Sequence, residues 1–180
     1  MLAFRTIRYL LMEAMDQAKS VSPKTIVLGV GNLLLSDEGV GVHVARELMG
    51  MELPPGVSVV EGGTAGLNLL HLIRDADRLI VIDAVQGEGA PATVYLFDMD
   101  EIQDKERGLI ASVHSLGVRE VLDLCALTGK VPETTVIGIE PKSMGIGTEL
   151  SDEVRAKVPL LLRLVLQEIN QNPDDPCSPG

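Results

Sequence analysis

Two carboxylates and one imidazole, those of Glu38, Asp83 and His114, stand where apolar runs of the chain end or where a helix is about to begin. Glu38 follows the run Thr25–Val30 and its glycines, Asp83 directly follows Leu79–Ile82, and His114 lies just ahead of a helical stretch from Ser115 to Leu127. Such a mixed oxygen and nitrogen set suits a hard-to-borderline metal ion, and either carboxylate could act as general base in a hydrolysis. Taken singly, each residue has a plainer reading. The Asp37-Glu38 pair favours the positive end of a helix, Asp83 could cap a turn, and His114 could be a solvated loop residue. Only together do the three residues point to a metal site. The other two histidines belong elsewhere: His43 lies on a different helical face from Glu38, at the helix edge, and His71 in the interior of a helix reads as structural.

A set drawn from distant parts of the chain needs a scaffold that gathers it. Thr25–Val30 reads as a buried strand, and Val40, Val44 and Leu48 at four-residue spacing give the following helix, Glu38–Met49, one apolar face. Val57–Val60 is a second strand closed by Glu61-Gly62-Gly63, and Thr64 is placed to cap a helix that turns Leu67, Leu70 and Ile73 inward. Leu79–Ile82 is the third strand. The stretch Val85–Pro91 that follows is too short for a parallel crossover, so the fourth strand, Ala92–Phe97, should run antiparallel to the third. After a charged, irregular stretch, Asp98–Val113, come the helix Ser115–Leu127, a fifth strand Thr134–Ile139 and a glycine-rich loop, Met144–Thr148. Ser151 with Asp152 and Glu153 marks the start of a last helix, which Pro159 should kink.

The expected fold class is α/β: a three-layer αβα sandwich on a mostly parallel five-stranded sheet with one antiparallel strand. Residues 1–23 form an N-terminal extension, 24–170 a single domain, and 171–180 a flexible tail. In open sheets of this kind ligands bind beyond the carboxyl ends of the strands, which is the edge where Asp37, Glu38, Glu61, Asp83 and His114 should meet.

Composition narrows the class further. Hydrophobic residues are 46% of the chain and aromatics 2%, so Val, Ile, Leu, Met and Ala must fill the core. The net charge of −11 and a pI near 4.6 speak against nucleic acid as a partner. The N-terminal segment is too short and too charged to span a membrane, and two widely separated cysteines give no disulfide framework; a soluble, cytoplasmic protein is expected. There is no GxSxG elbow, HExxH pair or phosphate-binding GxxxxGK[ST] loop. Gly29-Val30-Gly31 after a strand, with Glu61 ending the second, suggests a dinucleotide fingerprint. Leu34 in place of the third glycine, and acids where a pyrophosphate would sit, weaken it.

The segments GVGNLLLSDEGVGV (Gly29–Val42), EGGTAG (Glu61–Gly66), IDAV (Ile82–Val85), SVHSLG (Ser112–Gly117) and GIEP (Gly138–Pro141) resemble, in order, the successive motifs of the NiFe-hydrogenase maturation endopeptidases. The resemblance runs from about Lys24 to Asn170 and leaves residues 1–23 uncovered. It implies a protease that removes a short C-terminal extension from the hydrogenase large-subunit precursor once nickel has been inserted. It also implies that Glu38, Asp83 and His114 contact that nickel, with Glu38 or Asp83 as the catalytic base. The nickel would be carried by cysteines of the substrate, no permanent cofactor would be needed, and the protein would act as a monomer. Many relatives have Asp where this chain has Glu61; Glu61, Gly62 and Gly63, with the Met144–Thr148 loop, would shape the groove for the substrate peptide. Two other functions are compatible with the residues: a non-enzymatic nickel-dependent chaperone of the precursor, and a dinucleotide-binding module.

Overall fold

The structure, a computed structural model, describes residues 24–99 and 113–171, with side chains in the second stretch described from 117 onward. The expected extension 1–23, most of the irregular stretch Asp98–Val113, the tail beyond Gln171 and the side chain of His114 lie outside the described residues.

Strands β1 (Thr25–Val30), β2 (Val57–Gly63), β3 (Arg78–Ala84), β4 (Val94–Asp98) and β5 (Glu133–Ile139) form one sheet in the order β2-β1-β3-β5-β4. β1 pairs in parallel with both β2 and β3, and β3 in parallel with β5. β4 is antiparallel, as expected, but it pairs with β5 rather than with β3. β5 inserts between them by the longer route through a helix. The inner strands β1 and β3 are buried at every position, which is why they read as continuous apolar runs.

Side-chain alternation divides the core into two layers. On one face Val27, Ile80, Ile82, Ile137 and Ile139 meet α1 (Val40–Met49) through Val40, Val44 and Leu48. The same layer holds α4 (Asp152–Arg155) and α5 (Val158–Asn170) through Val154, Leu161 and Val165. On the other face Ile26, Leu28, Leu79, Val81 and Val136 meet the short α2 (Leu70–Ile73) and the long α3 (Val113–Thr128). The αβα sandwich follows.

Several local expectations change. Thr64 makes no capping bond: a 3-10 turn, Gly66–Leu69, precedes α2, and Leu67 is exposed while Leu69 and Ile73 are buried. That turn rotates the chain by about 120° per residue instead of about 100° in an α-helix, so its buried positions do not follow α-helical spacing. His71 is exposed on α2 rather than structural. Pro159 does not kink a helix; it occupies the first turn of α5, where its missing N–H has no helical partner to lose, and α4 ends before it.

Candidate active site at the carboxyl edge of the sheet

The chain leaves β1 at Gly31 (φ +125°), folds through Asn32–Leu35 and enters a 3-10 turn, Ser36–Gly39, before α1 begins. This compact route depends on backbone contact. A Cβ at Gly31 would overlap the carbonyl oxygen of Glu38, and one at Gly41 would overlap the carbonyl oxygens of Ile82 and Val30. The first turn of α1 therefore lies directly on the carboxyl ends of β1 and β3, and the 3-10 turn carrying Glu38 touches β3. Gly31 admits the chain's own backbone at the place where a dinucleotide fingerprint makes room for pyrophosphate.

Asp83, next after Ile82, is fully buried at the end of β3. It shares strand parity with Leu79 and Val81, so it belongs to the α3 side of the sheet. α3 starts at Val113, two residues earlier than expected, which puts His114 in its first turn rather than ahead of it. That end of α3 lies at the same edge, because Gly117 lines a cleft of about 300 Å³ with Val30, Gly63 and Thr64. The fold thus brings the half-buried Glu38, buried Asp83 and the backbone of His114 to one edge. Among the described residues no group of three His, Cys, Asp or Glu side chains is placed to hold a metal ion, and the His114 side chain is not among those residues.

Glu61, Gly62 and Gly63 border this region. Glu61, two residues before the end of β2, stands at the mouth of a cleft of about 200 Å³ lined by Gly31, Asn32, Leu33, Val42, Gly63 and Thr64. Its carboxylate accepts two hydrogen bonds from Arg46 of α1, Nε to Oε1 at 3.1 Å and Nη2 to Oε2 at 3.0 Å. Gly62 is buried against Leu28, and Gly63 accepts the Gly31 N–H at 3.0 Å. The two clefts share Gly63 and Thr64, so together they make a glycine-walled groove along the carboxyl ends of β1 and β2. His43 is half-buried on α1, and its Nε2 is buried with no hydrogen-bond partner among the described residues.

Two buried carboxylates to which the sequence assigns no part in the site, Asp37 and Glu140, build its frame. Asp37, expected at this edge and in its plainer reading to favour a helix start, makes no cap. Its Oδ2 accepts the N–H groups of Lys142 (3.0 Å) and Ser143 (2.9 Å) and the Ser151 hydroxyl (2.8 Å), while Oδ1 accepts the Ser151 N–H (2.7 Å). Ser151, at the start of α4, points its hydroxyl at Asp37 instead of capping its own helix. Asp37 thereby ties the loop between β5 and α4 to the turn that carries Glu38. Glu140 does the same for the loop after Asp83: its Oε2 accepts the N–H of Gly87 at 2.7 Å and the hydroxyl of Tyr95 at 2.8 Å. Burial, then the adjoining Glu140 carboxylate, pushes the Tyr95 phenol above its ordinary value of 10.0. The signal available for Glu140 was its place one residue beyond an apolar strand, the position already used to select Asp83.

An αβα sandwich with buried acids and a glycine-walled groove at the carboxyl edge defines the class, a small α/β protein whose site lies at the carboxyl ends of its parallel strands. Comparison with known proteins gives the particular family. Residues 42–168 match the family model of the hydrogenase maturation protease. The chain is 35% identical over 152 residues to the hydrogenase 2 maturation protease of Escherichia coli, covering 83% of this chain and 92% of that protein. It is 37% identical over 149 residues to the hydrogenase expression/formation protein HoxM of Azotobacter vinelandii, covering 81% and 72%. The solved structure of the hydrogenase maturating endopeptidase HybD from E. coli superposes with a TM-score of 0.74 at 36% identity over 81% of this chain and 91% of that one. The HybD maturation protease of Thermococcus kodakarensis gives 0.71 at 30% identity, over 82% and 99%. The chain belongs to the hydrogenase maturation protease family.

Proposed function

We propose that the protein hydrolyses one peptide bond near the C-terminus of a NiFe-hydrogenase large-subunit precursor, releasing its C-terminal extension, and that it acts as a cytoplasmic monomer. No helix among the described residues is long and apolar enough to cross a membrane. The observation that carries the reading is the gathering of Glu38 and Asp83, from segments far apart in sequence, at an edge bordered by two glycine-lined clefts.

Nickel enters this reading as part of the substrate. Two carboxylates and an imidazole suit a borderline divalent ion, and they leave positions for the thiolates that carry it and for water. Bound there, the ion would polarise the scissile carbonyl or acidify a water. Glu38, Asp83 and His114 would dock on it, so that recognition also checks that nickel is in place. Glu38 or Asp83 would take the proton of the attacking water; the scissile C–N bond breaks as the leaving amine is protonated. Glu61, Gly62 and Gly63 would hold the extension in the groove. No resident cofactor is required.

The test is incubation with nickel-loaded and nickel-free precursor, followed by mass measurement. Loss of the extension from the loaded form alone is the expected result. Binding without mass loss would move the protein to a chaperone role, and tight NAD binding without cleavage to a dinucleotide module. Glu38→Gln keeps the shape and removes the charge, and should abolish cleavage without loss of folded protein. Unchanged cleavage by that variant would leave Glu38 only its place at the helix start.

A further inference from the structure

An exposed apolar ridge stands beside the groove. Leu34 is 65% exposed, Ile146 97% and Met144 40%. They come from two loops that the fold zips together. The Gly147 N–H donates to the Leu34 carbonyl at 3.0 Å, the Ser36 N–H donates to the Gly147 carbonyl at 2.8 Å, and Leu35 and Gly147 form a parallel bridge. Met144 also receives the side-chain amide of Gln86, from the loop after Asp83.

Three properties separate this ridge from scattered surface hydrophobics. First, it is pinned: the four bonds to Asp37 hold the base of the Met144–Ile146 loop, and Ser36, at φ +50°, donates its hydroxyl to the Glu149 carbonyl at 2.8 Å. A preordered apolar tip loses little freedom on docking. Second, it is uncharged. Residues 29–36 and 143–148 contain no Asp, Glu, Lys or Arg in a chain of net charge −11, so the ridge itself presents no charge to a partner. Third, it is continuous with the groove, since Leu33, one residue before Leu34, lines it.

We propose that the Leu34–Met144–Ile146 ridge is a docking site for the folded body of the precursor, at an uncharged apolar surface beside the root of its extension. The inference rests on the proposed protease function. The extension leaves a folded body, so a chain lying in the groove places that body against the rim. The ridge is the apolar part of that rim held in register with Glu38, because Asp37 and Glu38 are adjacent in one turn. It sets affinity for the precursor and takes no part in the bond cleavage.

The test compares wild-type protein with the double variant Leu34→Ser/Ile146→Ser in steady-state cleavage of nickel-loaded precursor. Both side chains are solvent-exposed, so the folded state and its melting temperature should not change. The expected result is a rise in KM on the order of tenfold with kcat unchanged, the effect of removing two apolar anchors from an interface. Leu127→Ser, 83% exposed at the far end of α3, serves as control and should leave KM unchanged. An unchanged KM in the double variant, a loss confined to kcat, or an equal rise in the Leu127→Ser control would overturn the docking site. Failure of the wild-type protein to cleave would instead overturn the protease reading on which it rests.

Discussion

Replacing Asp37 by Asn nearly preserves the volume of a fully buried side chain while removing its charge and one of its two acceptor oxygens. The hydrogen-bond pattern dictates the outcome. With its carbonyl oxygen in the place of Oδ2, the new amide keeps the bonds from Lys142, Ser143 and the Ser151 hydroxyl. Its NH2 group then faces the Ser151 N–H, donor against donor, where Oδ1 had accepted at 2.7 Å. The opposite orientation sacrifices three bonds to keep one. In the better orientation one charge-assisted bond is lost, at about 1.5–3 kcal/mol, and three others weaken toward neutral strength. A destabilisation of roughly 3 kcal/mol follows, and Asp37→Ala should exceed it by leaving every donor unmatched. Urea unfolding at neutral pH measures the loss, and hydrogen exchange locates it: the Ser143 and Ser151 amides should lose protection before those of β1 and β3. Cleavage should fall along with loop order, because the same turn carries Glu38. A variant within about 0.5 kcal/mol of wild type, with those two amides still protected, would refute the assignment of Asp37 as the tie between the loops.

Gly41→Ala should destabilise by about 3 kcal/mol or more, because a Cβ there meets two strand carbonyls and α1 must lift off the sheet. Denaturant titration against Glu47→Ala, exposed on the same helix, provides the comparison, and equal stability of the two variants would contradict the backbone contact described. Asp77 is held below its ordinary value of 3.8 by the Lys130 ammonium, which donates to it at 2.8 Å, and by the Lys24 N–H. Since the folded state favours the ionised form, its contribution is present above that ordinary value and is lost as pH falls through the lowered one. Asp77→Asn should therefore lower the melting temperature slightly at neutral pH and flatten its acid decline; an unchanged acid slope would count against the pairing. The effect is small because both partners are about half exposed.

Much of this molecule is legible without coordinates. The apolar runs at Thr25–Val30 and Leu79–Ile82 identify buried strands, since only strands covered on both faces can be apolar at every position. The four-residue spacing of Val40, Val44 and Leu48 identifies the buried face of α1. Glu38, Asp83 and His114 could be selected because a polar residue at the end of an apolar strand, or at the entry to a helix, is carried to the carboxyl edge by the fold class itself. The partner of β4 was not legible in the same way. A short connection establishes strand direction but not which neighbour lies alongside, and β5, later in the chain, took the place next to β3.

Periodic and local features of the chain settle the element types, the buried faces, the edge at which the acids gather and the ordered motifs of the maturation proteases. Only the tertiary structure separated Asp37 from Glu38. The two carboxylates are neighbours with the same local claim to a helix start, yet one is turned inward to bind Lys142, Ser143 and Ser151, and the other stays half-buried at the open edge. The reason is physical. A buried carboxylate is stable only where donors converge on it, and Asp37's donors come from more than a hundred residues further along the chain, beyond the reach of any local pattern.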